Sequence, residues 1–173
     1  SFVVKGTIPF FAYNNYSYKN IQLNGSGILN SSFKLAQLKG LAAVNDPNGS
    51  LKIQGELAKS NGQYIADIAT EAHRLNLSLL NISHQWNNRI ISFDAHSKIS
   101  GKQLNSAVGK IELQNLLIND PMGDYGLSNL QVVAGFDKKN EHFVSLNTDF
   151  GKALVVGQFD YTSLVQVIKN VIL

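Results

Sequence analysis

The sequence predicts an all-β protein whose strands form a mostly antiparallel sheet. Three observations lead to this prediction. Apolar and polar residues alternate with a period of two along most of the 173 residues, which is typical of strands with one apolar and one solvated face. Turn-forming residues recur at short, regular intervals, and helical spacing occurs only near the C-terminal end. Roughly ten to twelve strands fit this spacing.

The alternation is clearest in four segments, which run over 51–57, 75–79, 91–96 and 144–150. Turn signals such as Asn24-Gly25, Asn61-Gly62 and 137–140 lie between the predicted strands. We expect the apolar positions of the four segments to share one face of the sheet. These positions are Leu51, Ile53, Leu57, Leu75, Leu77, Leu79, Ile91, Phe93, Val144 and Leu146.

One turn peptide occurs twice in the chain, 74 positions apart. Asn-Asp-Pro-Asn-Gly at 45–49 returns as Asn-Asp-Pro-Met-Gly at 119–123, with strand-like segments around both copies. Proline presets one backbone angle, aspartate accepts backbone hydrogen bonds and glycine can take a positive φ. The predicted structural turn residues are Asp46, Pro47, Gly49, Asp120, Pro121 and Gly123. We interpret 1–173 as one segment of a longer repeat-built protein, with two related units around 16–60 and 90–136.

The C-terminal segment departs from the strand pattern. Apolar residues between 164 and 172 recur at helical spacing, which predicts a short amphipathic helix after Tyr161. No other segment predicts a helix that could cover the sheet. The sheet must therefore cover its own apolar face as a sandwich, a barrel or a strongly curved open groove. A groove could leave part of that face for an apolar ligand.

Composition and motifs argue against most chemical functions. The chain has no cysteine, and its four histidines are far apart, so we predict no metal site and no cofactor. It contains no nucleophile elbow, phosphate loop or dinucleotide fingerprint. The net charge of +3 is scattered along the chain, which argues against nucleic-acid binding. We predict that the protein is not an enzyme and has no catalytic residues.

Aromatic residues cluster near the start of the chain. They are Phe10, Phe11, Tyr13, Tyr16 and Tyr18. These side chains could pack within the sheet, or they could form a platform for sugar rings in a carbohydrate-binding β-sandwich. A further alternative is an interaction module whose edge strands pair with strands of a partner protein.

Five segments also show a family resemblance. Two lie around the first turn copy, at 16–25 and 46–55. In the second half, 104–111 resembles a "ddltGeI" strand, 125–130 a "y-x-L-d-S-L" step and 148–164 an "SDF-x-x-A…G-x-f-D…L" run. In this order the segments resemble the TamB translocation and assembly module family of the Bacteroidetes, which belongs to the larger AsmA-like family. The resemblance covers nearly the whole chain and fits an internal or C-terminal segment of such a protein.

The resemblance implies a long β-sheet curled into a taco-like groove with an apolar concave face. It implies a periplasmic segment of an inner-membrane-anchored cell-envelope protein, with phospholipid, a BamA-like outer-membrane protein and nascent outer-membrane proteins as partners. The implied functions are lipid transport between membranes and outer membrane biogenesis, and the family brings no catalytic residues. We therefore expect a non-enzymatic groove that carries or shields lipid acyl chains, lined by the apolar positions named above.

Overall fold

The computed structural model describes residues 1–30, 32, 35–83, 88–161 and 163 and contains ten strands. A short 3-10 helix, Leu104–Ser106, precedes the seventh strand. The predicted C-terminal helix falls outside the described residues, apart from Tyr161 and Ser163. The strands are Phe2–Tyr13 (β1), Tyr16–Leu29 (β2), Leu35–Asp46 (β3), Gly49–Ser60 (β4), Gln63–Asn76 (β5), Ile90–Gly101 (β6), Val108–Asp120 (β7), Gly123–Phe136 (β8), His142–Thr148 (β9) and Gly151–Gly157 (β10).

All ten strands belong to one curved sheet in which the spatial order equals the chain order. Every pair of neighbours is antiparallel, so the predicted all-β antiparallel fold is confirmed. β1 and β10 are the two edge strands. Because the described strands form a single sheet, the β-sandwich considered as an alternative is wrong for this part of the chain.

The two copies of the turn peptide connect equivalent strands. The first joins β3 to β4 and the second joins β7 to β8, and in each the aspartate Oδ1 accepts the N–H of the residue two positions later at 2.9 Å. The glycines at the ends of the turns have positive φ, 137° for Gly49 and 149° for Gly123. The strands around the turns, β2 to β4 and β6 to β8, follow the same offset of 74 residues within one or two positions.

Two local predictions are wrong. The strand predicted over 75–79 ends at Asn76, and Leu77 and Leu79 lie in a turn segment beyond β5. The cause is the burial of Leu80, which is 3% exposed while Leu79 is 57% exposed, so the chain turns instead of continuing to alternate. The turn predicted at Asn24-Gly25 lies inside β2, where Gly25 pairs with Val4 on one side and Gly40 on the other.

Candidate apolar groove

The register of the sheet lines up residues in rows that cross all ten strands. The middle of three adjacent rows is Val4, Gly25, Gly40, Gly55, Ile68, Ser97, Ile111, Val132, Leu146 and Ala153. On one side of it runs the row Gly6, Leu23, Ala42, Ile53, Thr70, Ala95, Leu113, Leu130, Thr148 and Gly151. On the other side runs the row Phe2, Gly27, Leu38, Leu57, Ala66, Ile99, Gly109, Ala134, Val144 and Val155. Because alternate residues of a strand share a face, the three rows form one surface without a charged side chain, which we call the apolar face.

The opposite face of the sheet carries the charges. One of its rows is Val3, Ser26, Lys39, Glu56, Asp67, Lys98, Lys110, Val133, Ser145 and Leu154. The carboxylate of Asp67 forms an ion pair with the Nζ of Lys98 at 3.0 Å and lies 2.6 Å from the Nε2 of His96. These contacts, with His96 first and Lys98 second, lower the pKa of Asp67. The Nζ of Lys110, 2.6 Å away, likewise lowers the pKa of Glu112. The sheet therefore separates charged from uncharged side chains.

Glycines bend the sheet toward the apolar face. A Cβ atom placed on Gly40 would lie 2.6 Å from the carbonyl oxygen of Asn24 and 2.7 Å from the Cα of Gly25. One placed on Gly55 would lie 2.2 Å from the carbonyl oxygen of Asp67. A Cβ this close to the backbone of the next strand means that the neighbouring strands are folded toward the side on which the missing side chains would lie. The line through Gly25, Gly40 and Gly55, which we call the fold line, makes the apolar face concave across β2, β3 and β4.

The fold line lies at the bottom of a hollow of about 370 Å³ on the apolar face. The walls of the hollow are mainly the side chains of Val4, Leu23, Leu38, Ile53, Leu57 and Ile68. Behind the same glycines, the opposite face has a wider depression of about 750 Å³, which includes Lys39, Glu56 and Asp67. The charged lining of that depression suits water and polar groups, whereas the hollow on the apolar face suits a hydrocarbon chain.

Residues 77–83 fold from the end of β5 back to β1 and β2. The hydroxyl of Tyr18 donates to the carbonyl oxygen of Leu80 at 2.9 Å, and the side-chain amides of Asn14 and Asn81 each donate to the other residue's carbonyl oxygen. Leu80 is buried with Ala72 and Leu75, which are the buried hydrophobic residues among those described. Partly buried Tyr16, Tyr18, Leu51, Leu77 and Phe93 pack against them. One margin of the apolar face is therefore closed, and most of the face has no covering layer in the described part of the chain.

A hydrogen-bond network holds the first turn copy against β2. The carboxylate of Asp46, 6% exposed, accepts the Tyr16 hydroxyl at 2.5 Å, the Lys19 N–H at 3.0 Å and the Asn48 N–H at 2.9 Å. Burial, followed by the hydrogen bond to Asp46, raises the pKa of the Tyr16 hydroxyl. In the second copy Asp120 pairs with Arg89, and this contact, followed by the Met122 N–H, lowers the pKa of Asp120. Each aspartate therefore has a structural role, because its carboxylate accepts a backbone hydrogen bond within its own turn.

Four of the ten side chains predicted to line a groove stand in the three rows of the apolar face: Ile53, Leu57, Val144 and Leu146. Leu75 belongs to the buried cluster at the margin, Leu51 and Phe93 pack against it, and Ile91 pairs with Leu75. Leu77 packs against the margin, and Leu79 points away from it with 57% exposure. Sequence reasoning missed the fold line, although the even spacing of Gly25, Gly40 and Gly55 is a signal that could have revealed it. It also missed face residues such as Leu23, Ile68, Ile111 and Val132.

The aromatic cluster near the start of the chain is divided by the fold. Tyr16 and Tyr18 meet edge to face at 4.8 Å between ring centroids and pack under Leu80. Phe10, Phe11 and Tyr13 are exposed on the edge strand β1. Two of the five rings are therefore unavailable as a surface platform.

The described residues hold no cluster of three or more histidine, cysteine or acidic side chains placed to bind a metal ion. Within the same residues there is no helix with the length and apolar character needed to span a membrane. Comparison of the chain with protein-family models, with curated proteins and with solved structures gave no match.

Proposed function

We propose that the apolar face carries or shields lipid acyl chains in the cell envelope, as a segment of a periplasmic protein of the TamB type. The observation that supports this proposal is the set of three uncharged rows running from β1 to β10. At about 4.8 Å per strand the rows extend over roughly 40 Å. Each methylene group of an acyl chain that leaves water for such a surface contributes about 0.8 kcal/mol. A continuous strip without charges lets the chain shift along it without burying a charge.

The incomplete covering of the strip favours a conduit over an ordinary core. A core needs a second layer, and the described residues supply one at two places, under Leu80 and beside His142, where Phe159 and Tyr161 lie. The hollow over the glycines gives one place where an acyl chain could sink below the level of the surrounding leucine and isoleucine side chains. The proposed role is non-enzymatic, and a supporting role in outer-membrane protein assembly belongs to the same proposal.

A second candidate is strand addition at the edge of the sheet. β1 is twelve residues long, pairs with β2 alone in the described structure, and exposes apolar side chains on both faces, such as Val3 at 76% and Phe10 at 67%. An edge of this length can accept another strand through backbone hydrogen bonds. Nascent outer-membrane proteins or a BamA-like partner are the proteins that this mode would bind.

The lipid proposal is tested with two neighbouring residues of β4 that point to opposite faces. Ile53 lies on the apolar face in the wall of the hollow, and Gln54 lies on the charged face. The experiment is expression of the chain in a bacterial periplasm, native mass spectrometry with lipid extraction, and titration of the purified protein with a fluorescent palmitate analogue. We expect Ile53→Asp to weaken palmitate binding by about tenfold or more, because burying a carboxylate beside the chain is costly. The matched control Gln54→Asp adds the same charge and should bind as the unmodified protein does.

Two results would contradict the lipid proposal. Equal palmitate binding by folded Ile53→Asp and Gln54→Asp would remove the apolar face from the site. A protein that carries no lipid and does not bind palmitate would leave strand addition at β1 as the better candidate.

A further inference from the structure

Three Asn-Gly dipeptides lie in different environments of the sheet. They are Asn24-Gly25, Asn48-Gly49 and Asn61-Gly62. In such a dipeptide the backbone nitrogen of the glycine can attack the side-chain carbonyl carbon of the asparagine, because glycine has no side chain to hinder the approach. The three sites therefore share the same local chemistry, and their reactivity differs only where the fold restrains them.

Asn24-Gly25 is restrained by strand pairing. It lies inside β2, where Gly25 pairs with Val4 of β1 on one side and with Gly40 of β3 on the other. Ring closure requires rotation of the backbone between the asparagine and the glycine. The ladders on both sides hold that backbone extended, so the reaction at Asn24 requires local opening of β2.

Asn48-Gly49 is restrained by hydrogen bonds of the asparagine. The side-chain Nδ2 of Asn48 donates to the Tyr16 hydroxyl at 2.8 Å, and its backbone N–H donates to Asp46 at 2.9 Å. Its carbonyl oxygen accepts the N–H of Asn76 at 2.9 Å. The amide that would react is therefore held in place, and these contacts must break before Gly49 can approach it.

Asn61-Gly62 has neither restraint. The two residues form the connection between Ser60 of β4 and Gln63 of β5, which pair with each other. Both have positive φ, 50° for Asn61 and 76° for Gly62, as in the two-residue turn that Asn-Gly favours. Both are exposed, and a Cβ placed on Gly62 meets no atom within 4 Å. Within the described part of the chain, no group bonds to the Asn61 side chain or to the Gly62 N–H.

We propose that Asn61 is a site of spontaneous deamidation in the folded protein. The backbone nitrogen of Gly62 bonds to the side-chain carbonyl carbon of Asn61, and its proton passes to water. The bond from that carbon to the amide nitrogen breaks, and this nitrogen takes up a proton from water and leaves as ammonia. A succinimide ring remains. Water then adds to one of the ring carbonyls and opens the ring to aspartate or to isoaspartate, so water is the only co-reactant.

The reaction changes both the charge and the backbone at the tip of the hairpin. A carboxylate replaces a neutral amide, so the formal net charge falls by one, from +3 to +2. In isoaspartate the chain continues through the former side chain, which adds one backbone atom to the connection between β4 and β5. Because the length of a hairpin connection selects its turn type, the isoaspartate form no longer fits the two-residue turn. The inference does not depend on what occupies the apolar face.

Peptide mapping separates the three sites, because cleavage after lysine and arginine places them in the peptides 20–34, 40–52 and 60–74. The whole chain would be incubated in mildly alkaline buffer made with water labelled in its oxygen, then digested and analysed by mass spectrometry with fragmentation. We expect Asn61 to react at least about tenfold faster than Asn24 and Asn48, since those two sites must first open locally. The product should be a mixture of isoaspartate and aspartate that carries one labelled oxygen.

The same incubation in concentrated urea provides the control. Without the fold the three sites should react at similar rates, which would show that the structure causes the selectivity. Asn61→Gln should leave the peptide 60–74 unmodified over the same period, because the longer side chain closes a ring much less readily, and should leave the rates at Asn24 and Asn48 unchanged.

Three outcomes would overturn the proposal. In the folded protein, a reaction at Asn24 or Asn48 as fast as that at Asn61 would show that the fold does not select the site. An Asn61 that reacts in urea but stays unmodified in the folded protein would show that the turn protects it. A product that contains aspartate without isoaspartate would exclude the succinimide.

Discussion

Replacing Gly40 with alanine places a methyl group where β3 approaches β2 most closely. The added carbon would lie 2.6 Å from the carbonyl oxygen of Asn24 and 2.7 Å from the Cα of Gly25. Both atoms belong to the backbone, so neither can move aside by a side-chain rotation, and the two strands must separate. Overpacking of this kind costs about 1–3 kcal/mol. The lower entropy of alanine in the unfolded chain offsets about 0.4–1 kcal/mol of that cost.

Gly6 provides the matched control for this substitution. It lies on the same face in β1, and a Cβ placed on it meets no atom within 4 Å. Gly6→Ala should therefore raise the free energy of unfolding by roughly 0.4–1 kcal/mol. We expect Gly40→Ala to be less stable than Gly6→Ala by about 2 kcal/mol, which is the overpacking cost alone, because the entropy gain of alanine is common to both substitutions and cancels.

Urea denaturation followed by circular dichroism measures this difference, with linear extrapolation of the free energy of unfolding to water. If Gly40→Ala is as stable as Gly6→Ala, β2 and β3 do not approach as closely as the structure has them. The argument that glycines make the apolar face concave would then be refuted.

Three further predictions concern the margin and the repeated turns. Leu80→Ala should lower the free energy of unfolding by about 2–5 kcal/mol, because it empties a buried position, whereas Leu79→Ala should change it by less than about 0.5 kcal/mol; urea denaturation of both tests the closure of the margin. Asp46→Ala should destabilise by about 2–3 kcal/mol, since it leaves three donors without their acceptor, and a smaller loss would mean that water replaces the carboxylate. The lowered pKa of Asp120 stabilises the fold above the aspartate pKa of the unfolded chain, about 3.9, and this stabilisation is lost as pH falls through the lower folded value. Arg89→Gln should therefore reduce the acid sensitivity of unfolding, and an unchanged pH profile would show that the ion pair contributes nothing.

The local alternation of side chains was enough to predict the class of fold. Leu51, Ile53 and Leu57 share a face because a strand turns successive side chains to opposite sides, which is a property of the backbone alone. The two copies of the turn peptide were equally informative, since proline, aspartate and glycine act within four or five residues of each other. The strands and turns depend on residues that are close together in the chain, so they can be predicted from the sequence.

The glycine fold line and the closed margin depend on residues far apart in the chain. Gly25 looks like a turn residue beside Asn24, and only its pairing with Gly40 and that of Gly40 with Gly55 make it part of a bend across three strands. Leu80 is buried because it meets Tyr16 and Tyr18, some 60 residues earlier in the sequence. Register and curvature are set by such pairings, and a shift by one residue would exchange the faces of a whole strand. The sequence by itself therefore determined the strands, the repeated turns and the absence of charge at alternate positions. Only the tertiary structure decided that those positions join into one concave surface, because that requires ten strands to adopt a single mutual register.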